Sequence, residues 1–298
     1  MNSFQKSIST YALPIILSGL ANLFLGLSSL YWRSFTDVSP ITLVAYRIVL
    51  SAAILAVFVC IFRKASQIKK VTTKTVFLHC IASLLIAANW GAFIWASINE
   101  HFLESGLGYL ISPFFCIAIG LVIYREKISP KKAAILLVTL GFIIALIISS
   151  ENLNHLTYLI ISGTWGAYIY IKKYSSLDAV SGLFVETLFL TLGLAIAKLA
   201  LNIPIMYSDE LDSPSNTLIL IAGAVSITPL LMLSYSTGKI PLSVTGLIQF
   251  ILPITLISIS IYTQKQKISD TSLALSFIFI GILIVLVIYD AINNQPSK

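Results

Sequence analysis

The chain is 298 residues long, with 57% hydrophobic residues, only 10% charged ones and a mean hydropathy of +0.94. Soluble domains carry roughly 25% charge, so this composition excludes a soluble protein and points to an integral membrane protein with almost no extramembrane domain. The net charge of +7 does not signal nucleic acid, because the basic residues lie in short segments between apolar runs and form no aromatic-interleaved patch.

About 20 apolar residues cross the hydrocarbon as a helix, and ten runs fit that length in chain order. The first, 12–32, follows Lys6; it is too long for a signal peptide and lacks a small-residue cleavage site. The second, 43–62, carries Arg47 near its start. The third, 75–98, holds Asn89 and Trp90 in mid-helix, with Trp95 farther on. The fourth, 105–124, contains Tyr109, Ser112 and Pro113. A plain fifth run covers 132–149. The sixth, 155–171, is short and places Trp165 and Tyr168 on one helical face. The seventh, 181–201, contains Glu186, the only acidic residue well inside a run. The eighth covers 216–236, the ninth, 243–263, carries Gln249 and Pro253, and the tenth covers 270–290.

Lysine and arginine set the orientation, because cytoplasmic loops are enriched in them. The N-terminal side holds Lys6, Arg63, Lys64, Lys69, Lys70, Lys74, Arg125, Lys127, Lys131, Lys132, Lys172, Lys173, Lys239 and Lys298. The other side holds only Arg33, Lys198, Lys265 and Lys267. Both short tails, 1–11 and 291–298, are therefore expected in the cytoplasm, and the acidic segment from Ser208 to Asp212 on the far side.

The two halves also match at a constant offset of 140. Ser105-Gly106-Leu107 answers to Thr245-Gly246-Leu247, Lys127-Ile128-Ser129 to Lys267-Ile268-Ser269, and Pro113 to Pro253. Gly26 pairs with Gly166, Arg33 with Lys173, Leu43 with Leu183 and Gly141 with Gly281. Five spans per copy is an odd number, so the second copy enters from the opposite face. The expected architecture is an all-α polytopic membrane protein of ten transmembrane helices. They form two inverted five-helix repeats, 12–150 and 155–290. Inverted repeats are a transporter signature, because the halves can exchange conformations.

Pro113 and Pro253 fall near the bilayer midplane of their spans. A proline removes one donor and frees the carbonyl four residues earlier, here those of Tyr109 and Gln249. These groups, with Asn89, Trp90, Ser112, Trp165 and Tyr168, form the candidate substrate-binding set, the prolines serving as gating kinks. Packing alone is the plain alternative for each aromatic residue. Arg47 should lie towards the non-cytoplasmic end and Glu186 towards the cytoplasmic end, about 15 Å apart in depth. They are expected as a charged vestibule at each mouth, with Glu186 the one candidate for proton coupling, rather than as a direct pair.

No enzyme signature is present. His79, His101 and His155 lie apart, and there is no HExxH pair, serine elbow or Walker sequence. Cys60, Cys80 and Cys116 have neither metal-site nor disulfide spacing. No catalytic residue, metal or cofactor is expected. Gly106, Gly108 and Gly120 would permit close helix contact in a homodimer.

At these residues the chain resembles the RarD-like proteins of the EamA branch, in the drug/metabolite transporter superfamily. The resemblance covers nearly the whole chain. It rests on Tyr31-Trp32, Tyr46-Arg47, Asn89-Trp90, Trp95-Ala96, the stretch from Glu104 to Pro113, Glu186-Thr187-Leu188, Thr228-Pro229-Leu230 and the stretch from Gly246 to Pro253. It implies a ten-helix inverted-repeat fold with a central cavity, and secondary transport of small metabolites or drugs in a bacterial inner membrane. The chain departs from the family pattern where Tyr46 replaces a usual His and Ser112 a usual Asn. It also departs at Arg125-Glu126 and Lys265-Gln266, where the family has Gly-Glu.

The expected function is therefore alternating-access transport of a small polar or amphipathic metabolite. An uptake exchanger for a charged metabolite such as S-adenosylmethionine is the alternative within transport. A non-transporting scaffold or lipid-handling protein is the alternative from another class.

Overall fold

The computed structural model describes residues 3–69, 71–122, 125, 130–150, 153–237, 239–240, 245, 248–263, 274, 278 and 281–282. Its helices are α1 (Ser3–Arg33), α2 (Pro40–Ile61), the short α3 (Ala65–Lys69), α4 (Thr73–Ile98), α5 (Phe102–Val122), α6 (Pro130–Ser149), α7 (His155–Tyr174), α8 (Ala179–Leu201), α9 (Ser215–Leu218), α10 (Ala222–Thr237) and α11 (Ile251–Thr263). A 3-10 turn at Ile219–Ile221 joins α9 to α10. No strand occurs among the described residues.

Local chemistry starts these helices. The side chains of Ser39, Thr72, Asn154 and Asp178 accept from backbone N–H groups in the first turns of α2, α4, α7 and α8, satisfying donors that have no intrahelical partner. Pro40 follows Ser39 at the first position of α2, where its missing N–H costs nothing. Asn202, with φ of 49°, ends α8 in the left-handed region, which asparagine tolerates. Within the helices, hydroxyls turn back on carbonyls four residues earlier, as in Ser97 to Phe93, Thr187 to Leu183 and Thr237 to Leu233. In hydrocarbon this is how a hydroxyl finds a partner.

Five stretches are long and apolar enough to cross a membrane by themselves: Ala12–Arg33, Pro40–Ile61, Thr73–Ile98, Ala179–Leu201 and Ser215–Thr237. Their outward faces are apolar, with Phe24, Leu27, Val57, Leu84, Leu192, Ile196 and Leu199 all exposed. Such a surface has its proper solvent in lipid. The chain is an all-helical, multi-pass membrane protein.

Inside the bundle, α7 packs on α4 and α5, α1 on α10 and α11, α2 on α8 and α10, and α5 on α11. The core runs between them, through Leu25, Trp32, Leu55, Ile86, Trp90, Trp165, Leu230 and Leu252.

Three sequence expectations change or fall outside. The short, aromatic sixth run is a full helix of 20 residues, α7. The ninth is not continuous: Gln249 and Phe250 form a turn, and α11 begins at Ile251. Pro253 is therefore the third residue of a helix rather than an interior kink. The Gln249 carbonyl is not left free either, since it accepts from Leu252 N–H at 3.2 Å. Pro113, by contrast, lies inside α5. Most of the tenth run lies outside the described residues.

Gly106 and Gly108 allow close approach within the chain. A Cβ on Gly106 would meet Ile257 Cγ1 at 2.9 Å, and one on Gly108 would meet Ile161 Cβ at 2.7 Å. A homodimer would have to use another surface than these two glycines.

Candidate functional site

Two helices carry the polar interior. The buried stripe of α4 includes His79, Ile86, Asn89, Trp90 and Phe93, and that of α7 includes Ile161, Trp165 and Tyr168, with Lys172 one turn on. Spacings of three and four residues put each set on one helix face. Because α4 packs on α7, the two stripes face each other across the core.

At one end lies Arg47, 2% exposed. Its guanidinium carbon sits 4.1 Å from the Trp90 ring centre and 5.3 Å from that of Trp32. The hydrogen-bonding groups Nε and Nη1 are buried and have no hydrogen-bond partner among the described residues. An arginine costs about 2.5–3.5 kcal/mol at mid-membrane and less towards either end of a span, and desolvated cation–π contact returns about 2 kcal/mol.

From there a chain of contacts crosses the interior. Asn89, next to Trp90, donates from Nδ2 to Ile161 O and Thr164 Oγ1, both at 3.2 Å. Its Oδ1 accepts from Tyr109 OH at 2.8 Å. The Tyr109 ring meets Trp165 edge-on at 5.6 Å, and Trp165 stacks on Tyr168 at 5.8 Å. Tyr168 OH donates to Glu186 Oε2 at 3.0 Å.

At the other end Glu186, 1% exposed, is fully partnered. Besides Tyr168, its Oε1 accepts from Lys172 Nζ at 3.0 Å and from His79 Nδ1 at 2.7 Å. An ionised carboxylate only accepts, so beside ionised Glu186 the His79 Nδ1 is the donor. Its Nε2 lies 2.9 Å from Ser175 Oγ. Eleven residues of α4 separate His79 from Trp90, about 16 Å along the axis. Arg47 and Glu186 therefore mark opposite ends of one column.

Asn89, Tyr109, Trp165 and Tyr168 thus lie in direct succession, with Trp90 on Arg47 and Tyr168 on Glu186. Ser112 and Gln249 do not join the chain. Both are buried, and Ser112 Oγ and both Gln249 amide atoms have no partner among the described residues. Sequence reading missed His79, set aside as a lone histidine near a span end, and Lys172, counted only as an orientation charge. A helical register would have flagged Lys172, four residues beyond Tyr168. Nothing in the sequence ties His79 to a glutamate 107 positions away.

Chemically this is a buried polar and aromatic column. It offers aromatic faces, fixed amide and hydroxyl dipoles, and one unneutralised cation. No group of three or more His, Cys, Asp or Glu able to hold a metal occurs among the described residues.

No protein-family model matches the chain. It is 27% identical over 288 residues to Protein RarD of Salmonella typhimurium, covering 95% of this chain and 97% of the relative. Protein RarD of Escherichia coli is 26% identical over 287 residues, covering 94% and 95%. An uncharacterized transporter of Vibrio cholerae is 27% identical over 276 residues, covering 91% and 90%. The chain is RarD-like over nearly its whole length. A solved crystal structure of a protein at 15% identity superposes with a TM-score of 0.66, covering 96% of this chain and 99% of the other, a likeness of fold alone.

Proposed function

We propose that the chain is a secondary transporter of a small polar or amphipathic metabolite, working by alternating access in a bacterial inner membrane. Its halves, 12–150 and 155–290, are inverted repeats of five helices each, with both termini cytoplasmic. Substrate meets Asn89, Trp90, Tyr109, Ser112, Trp165, Tyr168 and Gln249, with Arg47 and Glu186 as the charged groups towards the two mouths. Pro113 and Pro253, the latter in the first turn of α11, shape the cavity walls.

The observation that carries this reading is a mirrored contact. A Cβ on Gly26 would meet Thr255 Cβ at 2.7 Å, and one on Gly166 would meet Phe115 Cβ at 2.9 Å. Both members shift by 140 residues, and the contact reverses between halves. Helix pairs behave alike: α1 on α10 answers to α7 on α4, and α2 on α10 to α8 on α4. This exchange is the geometry by which one half can take up the conformation of the other. Relatives named as transporters support the same reading.

Counterflow into proteoliposomes tests it, using a panel of amino acids, nucleosides and organic acids. Saturable, solute-specific exchange is expected. Folded protein with no exchange across the panel would favour a scaffold or lipid-handling role.

A further inference from the structure

Three charged residues are fully buried among the described residues, Arg47, Glu104 and Glu186, and the Lys172 side chain is nearly so. The two acids have partners, Glu104 with His101 Nδ1 at 2.8 Å and Glu186 with Lys172, His79 and Tyr168. Arg47 does not.

The geometry says what is missing. Guanidinium N–H bonds lie in the plane of the group. Trp90 and Trp32 lie close to the cation and attract it through their π systems, but rings cannot satisfy both in-plane donors at Nε and Nη1. The nearby hydroxyls of Tyr31 and Tyr109 donate to Leu218 O at 2.9 Å and to Asn89 Oδ1 at 2.8 Å, and neither oxygen accepts from Arg47 Nε or Nη1. No carboxylate, amide oxygen or carbonyl of the described residues accepts from those two nitrogens. An edge with free donors on a buried cation is a site for an anion.

Comparison of the halves sharpens this. Lys172 sits 140 positions after Trp32. In one half that position supplies the counter-ion for a buried charge, and in the other it supplies an aromatic ring. Glu186 is neutralised within the chain, whereas no carboxylate of the described residues pairs with Arg47.

We infer that Arg47 is the docking point for the carboxylate of an organic anion whose apolar body lies among Trp32, Trp90, Phe93 and Tyr109. This rests on the transport reading above and names the solute class. One cation suits a monoanion. A phosphate dianion would call for a second cation, but Arg33 is paired with Glu100 at 2.8 Å and Lys172 belongs to the Glu186 end.

The test uses the full-length protein in detergent, titrated with 3-phenylpropanoate, its primary amide and inorganic phosphate. Binding is read by tryptophan fluorescence, since two of the four tryptophans touch Arg47, and by thermal stability. The carboxylate should give a saturable response at concentrations about tenfold or more below those needed for the amide. Arg47→Gln should bring the two to the same level while leaving the ligand-free protein as stable as the wild type or more so, because an uncompensated charge is gone. Equal responses to acid and amide in the wild type would overturn the inference without any variant. So would discrimination that survives in Arg47→Gln, or a preference for phosphate. Counterflow separates this from the wider reading. If the carboxylate binds through Arg47 yet no panel solute exchanges, the site stands and transport falls. If solutes exchange but Arg47→Gln leaves charge selectivity unchanged, transport stands and the site falls.

Discussion

The Glu186 cluster makes a quantitative prediction about stability. Glu186→Gln keeps the shape of the side chain and removes its charge. The amide oxygen can take the Oε1 position and still accept from Lys172 and His79, while the amide NH2 takes the Oε2 position, where the Tyr168 hydroxyl can rotate and accept. What is lost is the ion pair between Lys172 and Glu186 at 3.0 Å. Breaking a buried pair by neutralising one partner costs about 3–5 kcal/mol. Lys172 is two residues from the end of α7 and 7% exposed, so its ammonium can turn towards the interface. That relief brings the expected cost to about 2–3 kcal/mol. Adding Lys172→Met removes the orphaned ammonium, so the double variant should be more stable than Glu186→Gln alone by about 1 kcal/mol or more. Denaturant unfolding in mixed micelles, followed by tryptophan fluorescence, measures all four corners of the cycle. Costs that simply add, or a Glu186→Gln cost below about 0.5 kcal/mol, would show that the cluster does not act as one charged unit.

Other expectations follow from single contacts. A Cβ on Gly223 would lie 2.6 Å from the Leu50 carbonyl carbon and Cβ, whereas one on Gly163 meets nothing within 4 Å. Gly223→Ala should therefore cost about 3 kcal/mol by forcing α10 from α2, and Gly163→Ala less than about 0.5 kcal/mol, in the same unfolding assay. Tyr109→Phe and Gln249→Ala should each weaken solute affinity severalfold in equilibrium binding while both proteins remain folded; unchanged affinity in both would remove them from the binding surface. Asp178, between α7 and α8, is partly buried, which alone would raise its carboxyl. The Ser181 N–H at 3.0 Å and the Lys64 ammonium at 3.0 Å outweigh that and hold it below its ordinary value. A depressed carboxyl contributes stability above its unfolded value, about 3.9, and loses it as pH falls through the lower folded value. The thermal-stability advantage of the wild type over Asp178→Asn should thus be full at pH 6 and shrink below about pH 4; a constant difference would contradict the pairing.

Much of the fold was legible because membranes enforce a simple code. Run length and apolarity locate α1, α2, α4, α8 and the α9–α10 segment, since a spanning helix must satisfy its own backbone. The sixth run was harder to read, because it is short and Trp165 and Tyr168, which face inward, dilute its hydropathy. Helix interruption was less legible. Pro113 and Pro253 match in sequence, yet one sits inside α5 and the other near the start of α11. A proline is compatible with both settings, and neighbouring packing decides. In the site, residues three and four apart on one helix could be grouped in advance, as Trp165 and Tyr168 were. Contacts between distant segments, such as His79 with Glu186, depend on how α4 meets α8 and leave no local mark.

What does not match between the halves bears on how such a transporter would work. The backbone contacts exchange under the 140-residue offset, but the polar groups do not: Lys172 answers to Trp32, His79 to Ile219, and Tyr109 to Gln249. A symmetric scaffold would give its two access states similar energies. Here one end is tied by a carboxylate with three donors, and the other by a cation held on aromatic rings with two donors open. Opening the Glu186 end means separating an ion pair and wetting both partners, whereas opening the Arg47 end hydrates a group that already lacks acceptors. The second is the cheaper movement, because water supplies what the protein withholds. On the proposed alternating-access reading, the asymmetry of side chains on a symmetric frame would therefore favour access from the Arg47 end in the absence of solute. An anion bound there would remove that preference by satisfying the same donors.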